Sequence, residues 1–122
     1  AKRVFDSIPK VMGTFQDSLY LYANGVLNYV THRTQDAISF FKECVQIDGS
    51  MVKSYIKLSQ SYIKEGLYDD AYKILRKLDI EKVVLFQDIV KIKDTLQKID
   101  IEGEIDCKEL LSKYIVALND ID

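Results

Sequence analysis

The chain has 122 residues, 48% of them hydrophobic and 30% charged, and its 17 basic and 19 acidic side chains give a net charge of −2. That size and balance fit one globular domain with its own core and exclude a disordered chain. Both signs of charge are well mixed, so no nucleic-acid-binding surface is indicated, and no apolar run is long enough for a membrane-spanning helix.

Residues 1–16 are the least regular part, because Pro9 and Gly13 interrupt the apolar positions Val4, Phe5 and Ile8. They read as a short helix or the remnant of an upstream unit, set apart from a helical domain over 17–122. The start at Ala1-Lys2 reads as that of a segment cut from something longer. A first full helix is expected over 17–31, capped by Asp17 or Ser18, with Leu19, Tyr22, Val26, Tyr29 and Val30 as its apolar stripe. After His32-Arg33-Thr34 a second helix is expected over 34–47, with Asp48-Gly49 ending it through a left-handed glycine and Ser50 capping the next. The third helix, 51–64, carries Tyr55, Leu58 and Tyr62 on one face and ends at Gly66. Asp69 and Asp70 then open a fourth, where the helix dipole favours acids, and Arg76 and Lys77 close it. A fifth is expected over 82–98, although Val83-Val84-Leu85-Phe86 alone reads equally as a strand, and a sixth over 105–119. One Pro and five Gly in the whole chain leave little punctuation for a sheet, so the expected fold class is all-α.

Helices of similar length joined by short turns point to a repeat. Superimposing DDAYKIL on QDAISFF sets Ala71 over Ala37, 34 residues apart. At that period the sequence resembles the tetratricopeptide repeat family. Tyr55-x2-Leu58-Ser59-x2-Tyr62, Ala71-x3-Leu75 and Val83 match its pattern, without its proline. Small Ser59 and Ala71 let the paired helices approach. The first unit matches in Ala37-x3-Phe41; strict spacing puts Asn24 and Asn28 at packing positions, so a turn shortened by one residue, placing Tyr22, Gly25, Val26 and Tyr29 there, is preferred. A third unit, Ile89, Ile92 and Leu96 then Cys107-x3-Leu111, is degenerate. Its last helix directs Cys107, Leu110, Leu111, Tyr114 and Leu118 inward and serves as a cap. The resemblance implies an α-solenoid of antiparallel helix hairpins, about three repeats; an ordinary array of α-hairpins is the plainer alternative.

The resemblance also implies a concave face built from the first helix of each pair. In the middle unit Lys53, Ile56, Lys57, Gln60, Ile63 and Lys64 flank the packing stripe, and Lys53, Lys57 and Lys64 share one line along the helix. Chaperone-binding members of the family hold an acidic C-terminal peptide in a carboxylate clamp. Lys53 and Lys57 match its paired basic positions, with Lys for Arg, and Asn24 matches an asparagine of it in the preferred register. The upstream half of that clamp has no counterpart here. Asn24, Lys53, Lys57, Gln60, Lys64 and Lys91 are therefore the candidate peptide-binding residues. The expected function is a non-catalytic, adaptor- or co-chaperone-like module taking an acidic or amphipathic protein segment, with neither nucleic acid nor membrane as partner. The alternative is a piece of a longer scaffold that stacks or self-associates.

Other chemistry is poorly supported. Cys44 and Cys107 follow neither metal nor disulfide spacing and are expected to be buried thiols, in the cytoplasm or another reducing compartment. Residues 98–109 echo a Ca²⁺ loop, but Lys98 stands where its first carboxylate belongs. His32 is the only histidine and falls in a turn, and no nucleophile–base grouping or phosphate loop accompanies it, so no cofactor and no enzyme is expected.

Overall fold

The computed structural model describes the backbone of residues 10–120 and the side chains of 17–120; the expectations for residues 1–9 lie outside it. Among the described residues there are six α-helices and no strand: α1 (Lys10–Val30), α2 (Thr34–Ile47), α3 (Val52–Lys64), α4 (Tyr68–Lys77), α5 (Phe86–Glu102) and α6 (Lys108–Asn119), with a 3₁₀ turn at Ile80–Lys82. Each of the pairs α1/α2, α3/α4 and α5/α6 forms a hairpin, and each hairpin packs on the next. The odd-numbered helices also touch one another, α1 with α3 and α3 with α5. That is the arrangement of a helical repeat, with one row of first helices and a second row behind it.

The repeat is visible in its turns. At the end of α3 the Leu67 amide donates to the Tyr62 carbonyl at 2.8 Å and the Gly66 amide to Ile63 at 2.9 Å. Gly66 has φ 77°, so this is a Schellman cap with glycine at its left-handed position. At the end of α1 Arg33 donates to Asn28 at 2.8 Å and His32 to Tyr29 at 3.2 Å, with His32 at φ 65°. The same motif thus recurs 34 residues earlier. That spacing overturns the shortened register expected for the first unit.

Packing says the same. Gly25, not Val26, takes the small position: a Cβ built on Gly25 would lie 2.5 Å from the Phe41 ring. Leu21, Ala37 and Phe41 are buried, while Asn24 and Asn28 occupy the disfavoured positions by turning back on their own helix. Their side-chain amides donate to the carbonyls of Tyr20 at 2.9 Å and Asn24 at 2.7 Å. In the middle hairpin Leu58, Ser59, Tyr62, Ala71, Leu75 and Val83 are all buried, as the repeat pattern requires. Ser59 satisfies its hydroxyl by donating to the Ile56 carbonyl at 2.7 Å. The third hairpin keeps Ile89, Ile92 and Leu96 buried, and Cys107, Leu110 and Tyr114 close the core from α6.

Several boundaries differ from expectation. α1 begins at Lys10 and passes through the expected cap at Asp17 or Ser18. Gly49 does not adopt a left-handed conformation; instead the Asp48 carboxylate closes the turn, accepting from the Ser50 amide at 3.1 Å and its hydroxyl at 2.6 Å. Met51, not Ser50, stands at the cap of α3. α5 starts four residues late because Val83–Leu85 stays extended, with Val83 buried and Val84 83% exposed. It then continues to Glu102, taking in part of the expected acidic turn. Both cysteines are buried free thiols.

Candidate groove across the first helices

The alignment of α1, α3 and α5 leaves an open groove along their common face. One cavity, about 590 Å³, is lined by Tyr29 of α1, Lys57, Gln60, Ile63 and Lys64 of α3, and Lys91, Asp94, Thr95 and Lys98 of α5. A smaller one, about 180 Å³, adjoins it and is lined by Tyr22, Lys53, Ile56, Lys57, Gln60, Asp88 and Lys91. Lys57, Gln60 and Lys91 belong to both, so the two are one channel across three helices. Its rim carries five lysines (53, 57, 64, 91 and 98) against two aspartates (88 and 94). Positive charge therefore prevails locally in a chain whose net charge is −2.

Spacing on α3 explains the line of lysines: steps of four and seven residues bring Lys53, Lys57 and Lys64 to one side, beside the buried stripe of Leu58 and Tyr62. The apolar floor comes from Ile56 and Ile63 of the same helix, with Tyr22 and Tyr29 of α1 as one wall. Tyr29 also holds the lysines. The Lys64 ammonium lies 4.7 Å from its ring centroid and that of Lys57 5.3 Å, both within cation–π range. Lys64 further approaches Nδ1 of His32 at 3.4 Å, so the lone histidine stands at the groove's edge, on the turn that ends α1. Burial, and then the neighbouring Lys91, hold the Lys57 pKa below its ordinary value of 10.5. Burial, Asp88 and Cys44 raise that of Tyr22. Among the described residues the only ion pair is Lys73 with Asp69, on α4, so no groove lysine is matched by a carboxylate within salt-bridge distance.

Five of the six candidates named from sequence thus meet in one channel: Lys53, Lys57, Gln60, Lys64 and Lys91. Asn24 is not with them. It lines neither cavity, and its amide is turned onto the Tyr20 carbonyl, on account of the strict register described above. Missing from the sequence reading were Lys98, Asp88, Asp94 and Thr95 of α5, because which side of that helix turns towards α1 and α3 is set by how the hairpins pack. Tyr22 and Tyr29 were read as packing residues, and the corrected register is what shows them facing the groove.

Among the described residues no three His, Cys, Asp or Glu side chains converge to hold a metal ion, and no helix is long and apolar enough to cross a membrane. In the acidic turn, Asp100 accepts the Cys107 amide at 3.3 Å.

No protein-family model matches the chain, and no curated protein matches it. Among solved structures it is similar to the type III secretion chaperone SycD of Yersinia enterocolitica in complex with a peptide of the translocator YopD, at 18% identity and a TM-score of 0.48 over 84% of this chain and 89% of that one. A second structure of the translocator chaperone SycD from the same organism gives the same identity and TM-score over 84% of this chain and 81% of that one.

Proposed function

We propose that the chain is a non-catalytic interaction module whose groove across α1, α3 and α5 takes an acidic, amphipathic segment of a partner protein. The observation that carries this reading is the row of groove lysines without carboxylate partners, set over an apolar floor. A peptide lying along α3 would set acidic side chains against Lys53, Lys57, Lys64 and Lys91 and an apolar residue against Ile56 or Ile63. Two terms then act together. Burial of the apolar residue supplies affinity, and the charges supply orientation and a salt-sensitive association rate. A C-terminal carboxylate is not required, since Asn24, the asparagine expected to help clamp one, is engaged elsewhere.

Affinity capture from an extract of the source cell, comparing wild type with Lys53→Glu/Lys57→Glu, tests the reading. The expected outcome is a set of acidic-segment proteins captured by wild type and lost with the double reversal. Equal capture by both would remove the groove from consideration. Lys53 is exposed and Lys57 half-buried against Tyr29, so a loss of capture with unchanged helical circular dichroism reports on the groove.

A further inference from the structure

The smaller cavity of the groove is walled in part by a charged side chain that the fold buries. Asp88, in the first turn of α5, is 5% exposed, and among the described residues no other Lys, Arg, Asp or Glu is buried. Elsewhere aspartates close turns: Asp48, Asp79, Asp100 and Asp106 each accept a backbone amide. Asp88 accepts none. Its own amide donates to the Leu85 carbonyl at 3.0 Å, and no described donor lies within hydrogen-bond or salt-bridge distance of its carboxylate. The positive end of α5 offsets part of the cost of burying that group, but leaves its oxygens without donors. Asp88 instead lines the cavity of about 180 Å³ with Tyr22, Lys53, Lys57, Gln60 and Lys91, and its charge helps to raise the Tyr22 pKa. A buried acceptor thus faces a cavity whose other charged groups are all donors.

We propose that this cavity is a side-chain subsite of the groove and takes a carboxamide, the side chain of a glutamine or asparagine in the bound segment. The inference rests on the reading of the groove as a peptide site. Charge selects the occupant. An ammonium would satisfy Asp88 but meets three lysines. A carboxylate would satisfy the lysines but is repelled by Asp88 and brings it no donor. A carboxamide carries both halves: its NH₂ donates to Asp88 while its carbonyl oxygen accepts from a lysine. The cavity opens off the larger one at Lys57, Gln60 and Lys91, so the segment's main chain keeps to the larger space and one side chain turns aside. The segment is then acidic along most of its length and neutral at one defined position.

A glutamine scan tests this on the full chain: each residue of a glutamate-rich amphipathic peptide is replaced in turn, and binding is read by fluorescence anisotropy. Each replacement removes either a charge that the groove lysines attract or an apolar contact, so binding should weaken at all positions but one. There it should tighten about three- to tenfold, the usual worth of a hydrogen bond. Asp88→Asn, which keeps the size of the side chain, should abolish that gain with unchanged circular dichroism, and Asp88→Ser should abolish it equally. Tightening at no position, with the parent peptide still bound, overturns the subsite and leaves the groove reading standing. A gain that survives both substitutions at full size overturns the assignment to Asp88. Tighter binding with lysine than with glutamine at the same position makes the occupant a cation and overturns the carboxamide. A peptide series that does not bind at all overturns the groove reading, and the subsite with it.

Discussion

The first and middle hairpins solve one packing problem with different residues. Where the middle hairpin buries Ser59 and Leu75, the first sets Gly25 against Phe41 at the positions 34 residues earlier. The larger ring at 41 consumes the room that a Cβ would need, so the residue opposite it has none. Their turns differ in the same compensating way. Gly66 takes the left-handed position without strain, whereas His32 takes it at a cost and gains a contact with Lys64 at the groove's edge. A repeat is therefore a set of spatial requirements, and residues meet those requirements in pairs.

The comparison is broken most severely at its centres. Phe41→Ala and Leu75→Ala, both at fully buried positions, should each destabilise by about 2–5 kcal/mol in denaturant unfolding. If one hairpin tolerated the loss, the two would not share a core. Gly25→Ala is expected to cost about 1–3 kcal/mol, against the usual gain for this change in a helix, because the new methyl meets Phe41 at 2.5 Å. Phe41→Leu in the same chain should recover part of that loss; additivity in the double-mutant cycle would refute the pairing.

Smaller effects are expected at the turns. Gly66→Ala should cost about 1–2 kcal/mol through its backbone conformation, since nothing lies within 4 Å of the added Cβ. His32→Gly should gain up to about 1 kcal/mol by the same argument, with the lost Lys64 contact subtracting from it.

The cap of the third hairpin predicts a pH dependence. Burial, with Asp100 and Asp106, pushes the Cys107 thiol from its ordinary 9.0 up to about 11. The fold thus favours the protonated thiol: its stabilising contribution is whole below pH 9 and is lost as pH rises from 9 towards 11. Thermal melts across that window should show falling stability, and Cys107→Ala should flatten the slope. The smallest effect is expected from Tyr114→Phe. The Tyr114 hydroxyl is buried without a hydrogen-bond partner, so its removal should leave stability unchanged or raise it by up to about 1 kcal/mol.

Much of the fold was legible wherever local chemistry acts alone. α2 was placed to the residue, because its apolar face is wide and Thr34 and Ile47 bound it cleanly. The cap at Gly66 was legible because only glycine takes that conformation freely. Its counterpart at His32 was not, since a left-handed histidine has no sequence signal, and with it went the register of the first repeat. The preference against Asn24 and Asn28 at packing positions overlooked that an asparagine can satisfy its amide on the preceding turn of its own helix. The start of α5 was missed because Val83-Val84-Leu85 is apolar enough for either state, and burial of Val83 against the core decides for the extended one. On the groove, periodicity put Lys53, Lys57 and Lys64 of α3 on one line, and the repeat resemblance implied that this line belongs to the concave face. The walls supplied by α1 and α5 depend on which helices are brought together, which spacing within one helix does not contain.

The central claim is that ligand binding belongs to the face shared by α1, α3 and α5. Amide chemical-shift mapping with a glutamate-rich amphipathic peptide tests it most directly. Shifts should concentrate at Tyr29, Lys53, Lys57, Lys64 and Lys91, weaken with added salt, and vanish in Lys53→Glu/Lys57→Glu. Shifts clustered instead on α2 and α4, or persisting at full size in the double reversal, would contradict the account.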